Sequence, residues 1–278
     1  MEPIAIMLAL GAAVLHATWN AMVKVNRDRF AAMTALAGFG VLSGPVLIAL
    51  DATPAPAAWP FLLTSAVIHI GYNTFLLLAY RVADLSHAYP LARGSAPLLA
   101  TVGGVMLAGD VLSMPAYVGI AIVCGGIIML SLNYSVASMG WGGLLWPLAT
   151  GLMISAYTVV DGLGVRASGA PLGYIGWLFL IDAFPLAVWM VVRQRGAGLR
   201  RIAGAWKLGL AGGAMSFTAY GLVIYAMNIA PIGPVAAMRE TSVIIAAGIG
   251  AFLLKEHMGG RRVVAAAVVV VGVVVLNL

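Results

Sequence analysis

The sequence predicts an all-α polytopic membrane protein: ten transmembrane helices, forming two inverted five-helix repeats around a central cavity. Three observations carry this expectation. Apolar residues make up 63% of the 278 positions and charged residues only 9%, against about 45–50% and about 25% in soluble domains. The mean hydropathy is +1.05, and the 34 glycines and 13 prolines are spread along apolar runs, as bilayer helices tolerate. The third observation is a self-similarity between the two halves of the chain, set out below.

A helix crossing about 30 Å of hydrocarbon takes about 20 residues, so ten spans use about 200 and leave only short connections. Apolar runs broken by Pro, Gly and charge clusters place helix one at about 3–23 and helix two at about 30–50. Helices three, four and five follow at about 59–80, 85–108 and 114–132. The linker NYSVASMGW leads to helix six at about 143–163. Helices seven to ten occupy about 171–192, 207–229, 234–254 and 262–277. The opening MEPIAIMLALGAAVLHATWN has neither a basic leader nor an obvious cleavage site, so it is expected to stay as a span. Cys124 is alone, which excludes an intrachain disulfide.

Basic residues divide unequally between the two ends of the spans. Twelve of them, including Lys24, Arg81, Arg195, Lys207 and Arg262, fall in the connections after helices one, three, seven and nine. Only Arg166 falls on the other face, and that bias places both termini outside the cytoplasm. The net charge of +6 is therefore a topology signal and no nucleic-acid footprint.

The halves repeat. Arg93-Gly-Ser-Ala is followed by Asp110 and Arg239-Glu-Thr-Ser by Glu256 at the same interval, and the same offset brings Gly126 onto Gly272. The match between helices one and six is weaker, with HATWNAMVKVNR facing SAYTVVDGLGVR. Two units result, 1–137 and 138–278, each of five spans. Because five is odd, the second unit enters the bilayer from the opposite side, and inverted repeats mark secondary transporters.

Two five-span units, a first helix bearing His16, Trp19 and Asn20, and acidic residues closing each fourth helix of the repeat (AGD at 108–110, LLKE at 253–256) resemble the drug/metabolite transporter superfamily, in its ten-helix EamA-type branch. The resemblance covers essentially the whole chain. It implies a ten-helix basket with a central cavity, alternating access and movement of small metabolites, often export. Many relatives keep both ends in the cytoplasm, whereas the charge bias here points outward.

Ionisable groups inside spans are functional candidates by default. Arg93 and Arg239 offer two guanidinium forks for a carboxylate, phosphate or phosphonate; alternatively each pairs with protein oxygens. Glu240 follows Arg239, but adjacent helical residues point apart, so its partner is expected from another helix. Glu240, Asp182 and Asp161 are the candidates for ion coupling. Asp161 shares a face with Tyr157 but lies near the expected end of helix six, where capping is the competing role. His16, Trp19 and Asn20 on helix one and His69, Tyr72 and Asn73 on helix three repeat one spacing, and with Tyr157 and Tyr220 they are candidate pocket walls. Interhelical hydrogen bonding is the alternative for the Asn and His side chains. Pro90, Gly94 and Pro97 around Arg93, and Pro231 and Pro234 before Arg239, are expected to loosen the backbone ladder.

No HExxH, GxSxG or Walker loop occurs, and one Cys cannot build a thiolate metal site. Neither catalysis nor a cofactor or metal is expected. The partners expected are a small-molecule substrate and the lipid bilayer of a bacterial inner membrane, with no nucleic acid, the protein being a monomer or homodimer. The sequence thus favours a secondary transporter of a small anionic or zwitterionic metabolite, amino-acid-like, organic acid or phosphonate. Export is the expected direction and proton coupling a possibility. The competing reading is an exporter of lipophilic or cationic compounds.

Overall fold

The computed structural model describes residues 1–24, 29–83, 85–130, 140–184, 206–252 and 259–278, and among them every regular element is helical. In chain order these are α1 (Pro3–Lys24), α2 (Arg29–Leu50), α3 (Trp59–Val82), α4 (Leu85–Leu107), α5 (Met114–Met129) and α6 (Gly142–Ser168). They are followed by α7 (Pro171–Phe184), α8 (Trp206–Ile229), α9 (Ile232–Arg239), α10 (Ser242–Phe252) and α11 (Gly260–Leu276). The ten expected spans correspond to α1 to α8, to α9 with α10, and to α11. Among the described residues, five stretches are long and apolar enough to cross a bilayer: Pro3–Val23, Pro56–Val82, Gly142–Ser168, Trp206–Ile229 and Ile232–Ala251.

Two boundaries differ from the sequence expectation. Helix six does not stop near 163; α6 runs to Ser168 and ends where Gly169 takes the left-handed conformation at φ 64°. Asp161 is therefore inside the helix and not beside its end. Helix nine is not continuous. At Glu240 and Thr241 the backbone tightens to i→i+3 bonding, with Glu240 N donating to Ala237 O and Thr241 N to Met238 O, both at 3.1 Å. No proline lies at this break. Pro231 instead precedes α9 as its N-cap, and α4 passes through Pro90 and Pro97 without interruption.

The polarity of the assembly is inverted relative to a soluble protein. Leu42, Val67, Leu77, Met106, Leu145 and Val270 are exposed, whereas Arg93, Thr150, Asp161, Arg239 and Glu240 are buried. An apolar exterior costs nothing against lipid, and the polar groups find partners only inside the bundle.

The packing places the site. α3 lies on α6, α1 on α8, α4 on both α6 and α5, α2 on α8, and α5 on α11, while α9 and α10 close against α1 and α4. Close approach relies on glycine. A Cβ at Gly213 of α8 would overlap Phe39 of α2, and one at Gly44 of α2 would lie 2.8 Å from the Gly176 carbonyl oxygen of α7. At one end of the bundle Asp51, just beyond α2, accepts hydrogen bonds from the Leu172 and Gly173 amides at 2.9 and 3.2 Å, capping α7. The amide of Ala52, with those two, holds its carboxyl below the usual carboxylate range.

Candidate functional site

α4 carries Arg93 into the centre of the bundle, and the break between α9 and α10 presents Arg239 and Glu240 opposite it. All three are buried, at 7%, 5% and 0% exposure. Arg93 Nε donates to Glu240 Oε2 at 2.8 Å, and Arg239 Nη2 donates to Glu240 Oε1 at 3.4 Å. Glu240 does take a partner from another helix. It also reaches its own neighbour Arg239, which a continuous helix would have turned away; the tightened turn brings the two side chains together.

The charge count at this centre does not balance. Two guanidiniums, permanently cationic, face one carboxylate. Moreover, Arg93 Nη2 and Arg239 Nε are buried with no hydrogen-bond partner among the described residues. Buried donors without acceptors are unfavourable by about 1–3 kcal/mol each, so the centre has hydrogen-bonding capacity that the described residues leave unused. The Arg93 guanidinium also sits over the Tyr89 ring, 5.7 Å from its centroid. Tyr89 was not among the expected site residues, although it lies one helical turn before Arg93.

Around this centre stand aromatic walls. His16 and Trp19 on α1 contact edge to face with centroids 5.3 Å apart, and His16 lies within electrostatic reach of both Arg93 and Arg239. The indole nitrogen of Trp19 is buried without a partner among the described residues. Asn20 turns its amide back to the His16 carbonyl at 2.7 Å. Asn73 does the same to His69 at 2.9 Å from an exposed position, apart from the walls. Tyr72, His69, Tyr157 and Tyr220 form one continuous group: His69 stacks on Tyr157 at 4.3 Å, with Tyr72 at 5.8 Å and Tyr220 at 6.1 Å from the same ring. They come from three helices, α3, α6 and α8, far apart in sequence.

Asp161 and Asp182 join this group from its far side. Asp161 is completely buried and accepts hydrogen bonds from the hydroxyls of Tyr220 at 2.5 Å and Tyr174 at 3.3 Å. The capping position expected as its competing role does not exist, because α6 continues past it. Asp182 Oδ2 lies 3.6 Å from His69 Nδ1. Ser65 and Tyr174, which complete this cluster, were missed. Ser65 is one turn before His69, a spacing visible in the sequence; Tyr174 follows the α6–α7 turn and gave no such signal.

A separate network ties one end of the bundle. Arg166, on the last turn of α6, donates to the carbonyls of Met227 and Ala230 and to Asp110 Oδ1, each at 2.8 Å. Asp110 Oδ2 in turn accepts from the Ile232 amide at 2.7 Å, capping α9. Glu256, its counterpart in the sequence repeat, lies outside the described residues.

With this geometry in place, comparison with other proteins is informative. No curated protein matches the chain. A solved structure described as "Crystal structure of protein" superposes with a TM-score of 0.74 over 99% of this chain and 98% of the other, at 19% identity, which shows a shared fold. Residues 141–278 match the EamA-like transporter family. The chain is accordingly a multi-pass membrane transporter belonging to the EamA-like transporter family, part of the drug/metabolite transporter superfamily.

Proposed function

We propose that this protein is a secondary active transporter that moves a small anionic or zwitterionic metabolite, amino-acid-like, an organic acid or a phosphonate, out across the bacterial inner membrane. The observation that carries the reading is the unbalanced centre: two buried guanidiniums, one carboxylate, and two N–H groups without acceptors among the described residues. A carboxylate or phosphonate supplies the missing oxygens, and bidentate guanidinium contacts favour planar or trigonal anionic groups. Glu240 stands in for that anion in the empty carrier. The rings of His16, Trp19, Tyr72, Tyr157 and Tyr220 receive the body of the substrate.

Alternating access follows from an inverted repeat around a central cavity, with both termini outside the cytoplasm. Helix pairing supports the repeat. Exchanging the two halves turns α1 on α8 into α6 on α3, and α4 on α6 into α9 and α10 on α1; all four contacts occur. The α5–α11 pair maps onto itself. Its equivalent glycines face each other's helix, a Cβ at Gly126 meeting Val269 and one at Gly272 meeting Val123.

The competing reading, export of lipophilic cations, fits the aromatic walls but places two buried arginines where the passenger's own charge would sit. Transport in proteoliposomes separates the two. Carboxylate or phosphonate movement that is lost in Arg93→Ala supports the anion reading; cation efflux that survives Arg93→Ala supports its competitor.

A further inference from the structure

The anion centre leaves the Asp161 and Asp182 cluster unused, and its geometry has a direction of its own. Asp161, buried on α6, accepts from the Tyr220 and Tyr174 hydroxyls, and His69 lies within its electrostatic reach. Ser65 Oγ lies 3.3 Å from His69 Nδ1, and that nitrogen also faces the Ser65 carbonyl oxygen at 2.9 Å and Asp182 Oδ2 at 3.6 Å. Neither a carbonyl nor a carboxylate oxygen donates a hydrogen, so Nδ1 must carry one. Asp182 Oδ1 is buried and has no donor among the described residues.

We propose that the Asp161–Ser65–His69–Asp182 cluster is a proton-binding site, and that its proton is the one coupled to transport at the arginine centre. The proposal rests on the anion-transport reading for its consequence but not for its chemistry. Two carboxylates and one imidazole within interaction distance hold their protons as a unit. With every member charged, the cluster keeps one uncompensated negative charge in a medium of low dielectric, and one added proton removes it. The proton arrives from water as H⁺ and leaves to water as H⁺; only O–H and N–H bonds change.

Two further observations select this cluster. The side chains of His69 and Asp182 are 20% and 24% exposed, while Asp161 is completely buried. Both oxygens of Glu240 are occupied by guanidiniums, whereas Asp182 Oδ1 has no donor among the described residues.

The ionisable groups facing it come from every element packed there. They are His69 and Tyr72 on α3, Tyr157 and Asp161 on α6, Tyr174 and Asp182 on α7, and Tyr220 on α8. Communication with the anion centre runs through Tyr157. Its ring stacks on His69 and lies within electrostatic reach of Arg93, Arg239, Glu240 and Asp161. A change in the charge or tilt of His69 is thus felt at the wall of the anion site.

Infrared difference spectra between mildly alkaline and mildly acid buffer test the proton site without any substrate. Acidification should raise a protonated-carboxyl band in the native protein. At least half of that band should disappear in Asp182→Asn or Asp161→Asn, and it should persist in Glu240→Gln. A band unchanged in both aspartate variants, or lost only in Glu240→Gln, overturns the assignment. Because Asp161 is buried and its variant is at risk of misfolding, Asp182→Asn at the partly exposed edge is the deciding variant. The second arm follows phenylphosphonate, an anion with an aromatic body, in proteoliposomes. Asp182→Asn should reduce pH-driven accumulation to the gradient-free level while leaving exchange without a gradient intact; accumulation that still follows the gradient overturns coupling here. Phenylphosphonate binding that survives Arg93→Ala sinks the anion reading alone, and the infrared result then decides the proton site by itself.

Discussion

Glu240 is the residue on which the buried centre turns. Completely enclosed, it neutralises one of two guanidiniums that cannot lose their protons. Replacing it with Gln leaves both cations without a counter-charge, and breaking a buried pair in this way destabilises by about 3–5 kcal/mol. Glu240→Gln is therefore expected to melt well below the native protein in detergent, and added phosphonate should recover more of that loss than it adds to the native protein. An unchanged melting temperature would mean that the arginines find other oxygens. At this scale the sequence was informative about which charged residues lie inside spans and poor about how they meet. Intramembrane charge singled out Arg93, Arg239, Glu240, Asp161 and Asp182, because each is unfavourable in lipid unless paired. The pairing of His69 with Asp182, and the enclosure of Asp161 by two phenols, depend on how α3, α6, α7 and α8 are stacked, which no local spacing specifies.

Among the elements, the break between α9 and α10 has the clearest consequence. It turns Arg239 and Glu240 towards the same centre, and it arises at Glu240–Thr241 from a switch to i→i+3 bonding, away from any proline. Proline spacing had pointed to Pro231 and Pro234 instead. They open and enter α9, where the missing amide is harmless. The hydrophobic runs located the spans within a few residues, since bilayer thickness fixes helix length. Helix ends set by a cap, as at Gly169, were harder to place. Gly209 and Gly213 of α8 are four residues apart and both face α2, at Ala35 and Phe39. A Cβ at Gly213 would collide with Phe39, so Gly213→Ala should destabilise by about 1–3 kcal/mol through overpacking of α2 against α8. Gly248 in α10 has open space around it, and Gly248→Ala should be neutral or stabilising by up to about 1 kcal/mol. Thermal denaturation of the two variants in one detergent checks both; equal effects would contradict the packing argument.

At the scale of the whole molecule, the Arg166 network ties together one end of the bundle. One guanidinium joins the ends of α6 and α8 and the segment after α4, and Asp110 ties that segment to the start of α9. All three guanidinium nitrogens are used, and Arg166 with Asp110 holds four elements together. Opening this end requires these bonds to break. Arg166→Met should therefore raise the labelling rate of a cysteine placed at Thr101, which packs against Gly233 between α4 and α9. Cys124 is buried and leaves little background. A rate unchanged from that in the native background would show that closure lies elsewhere.

Whether arginine is held in the core of this transporter to bind an anion is tested most directly by a thermal-shift screen of the purified protein against carboxylates, phosphonates, amino acids and lipophilic cations. The account predicts stabilisation by at least one anionic or zwitterionic compound, abolished in Arg93→Ala and weakened in Arg239→Ala. Stabilisation by cations alone, or by an anion that binds Arg93→Ala equally well, would contradict it.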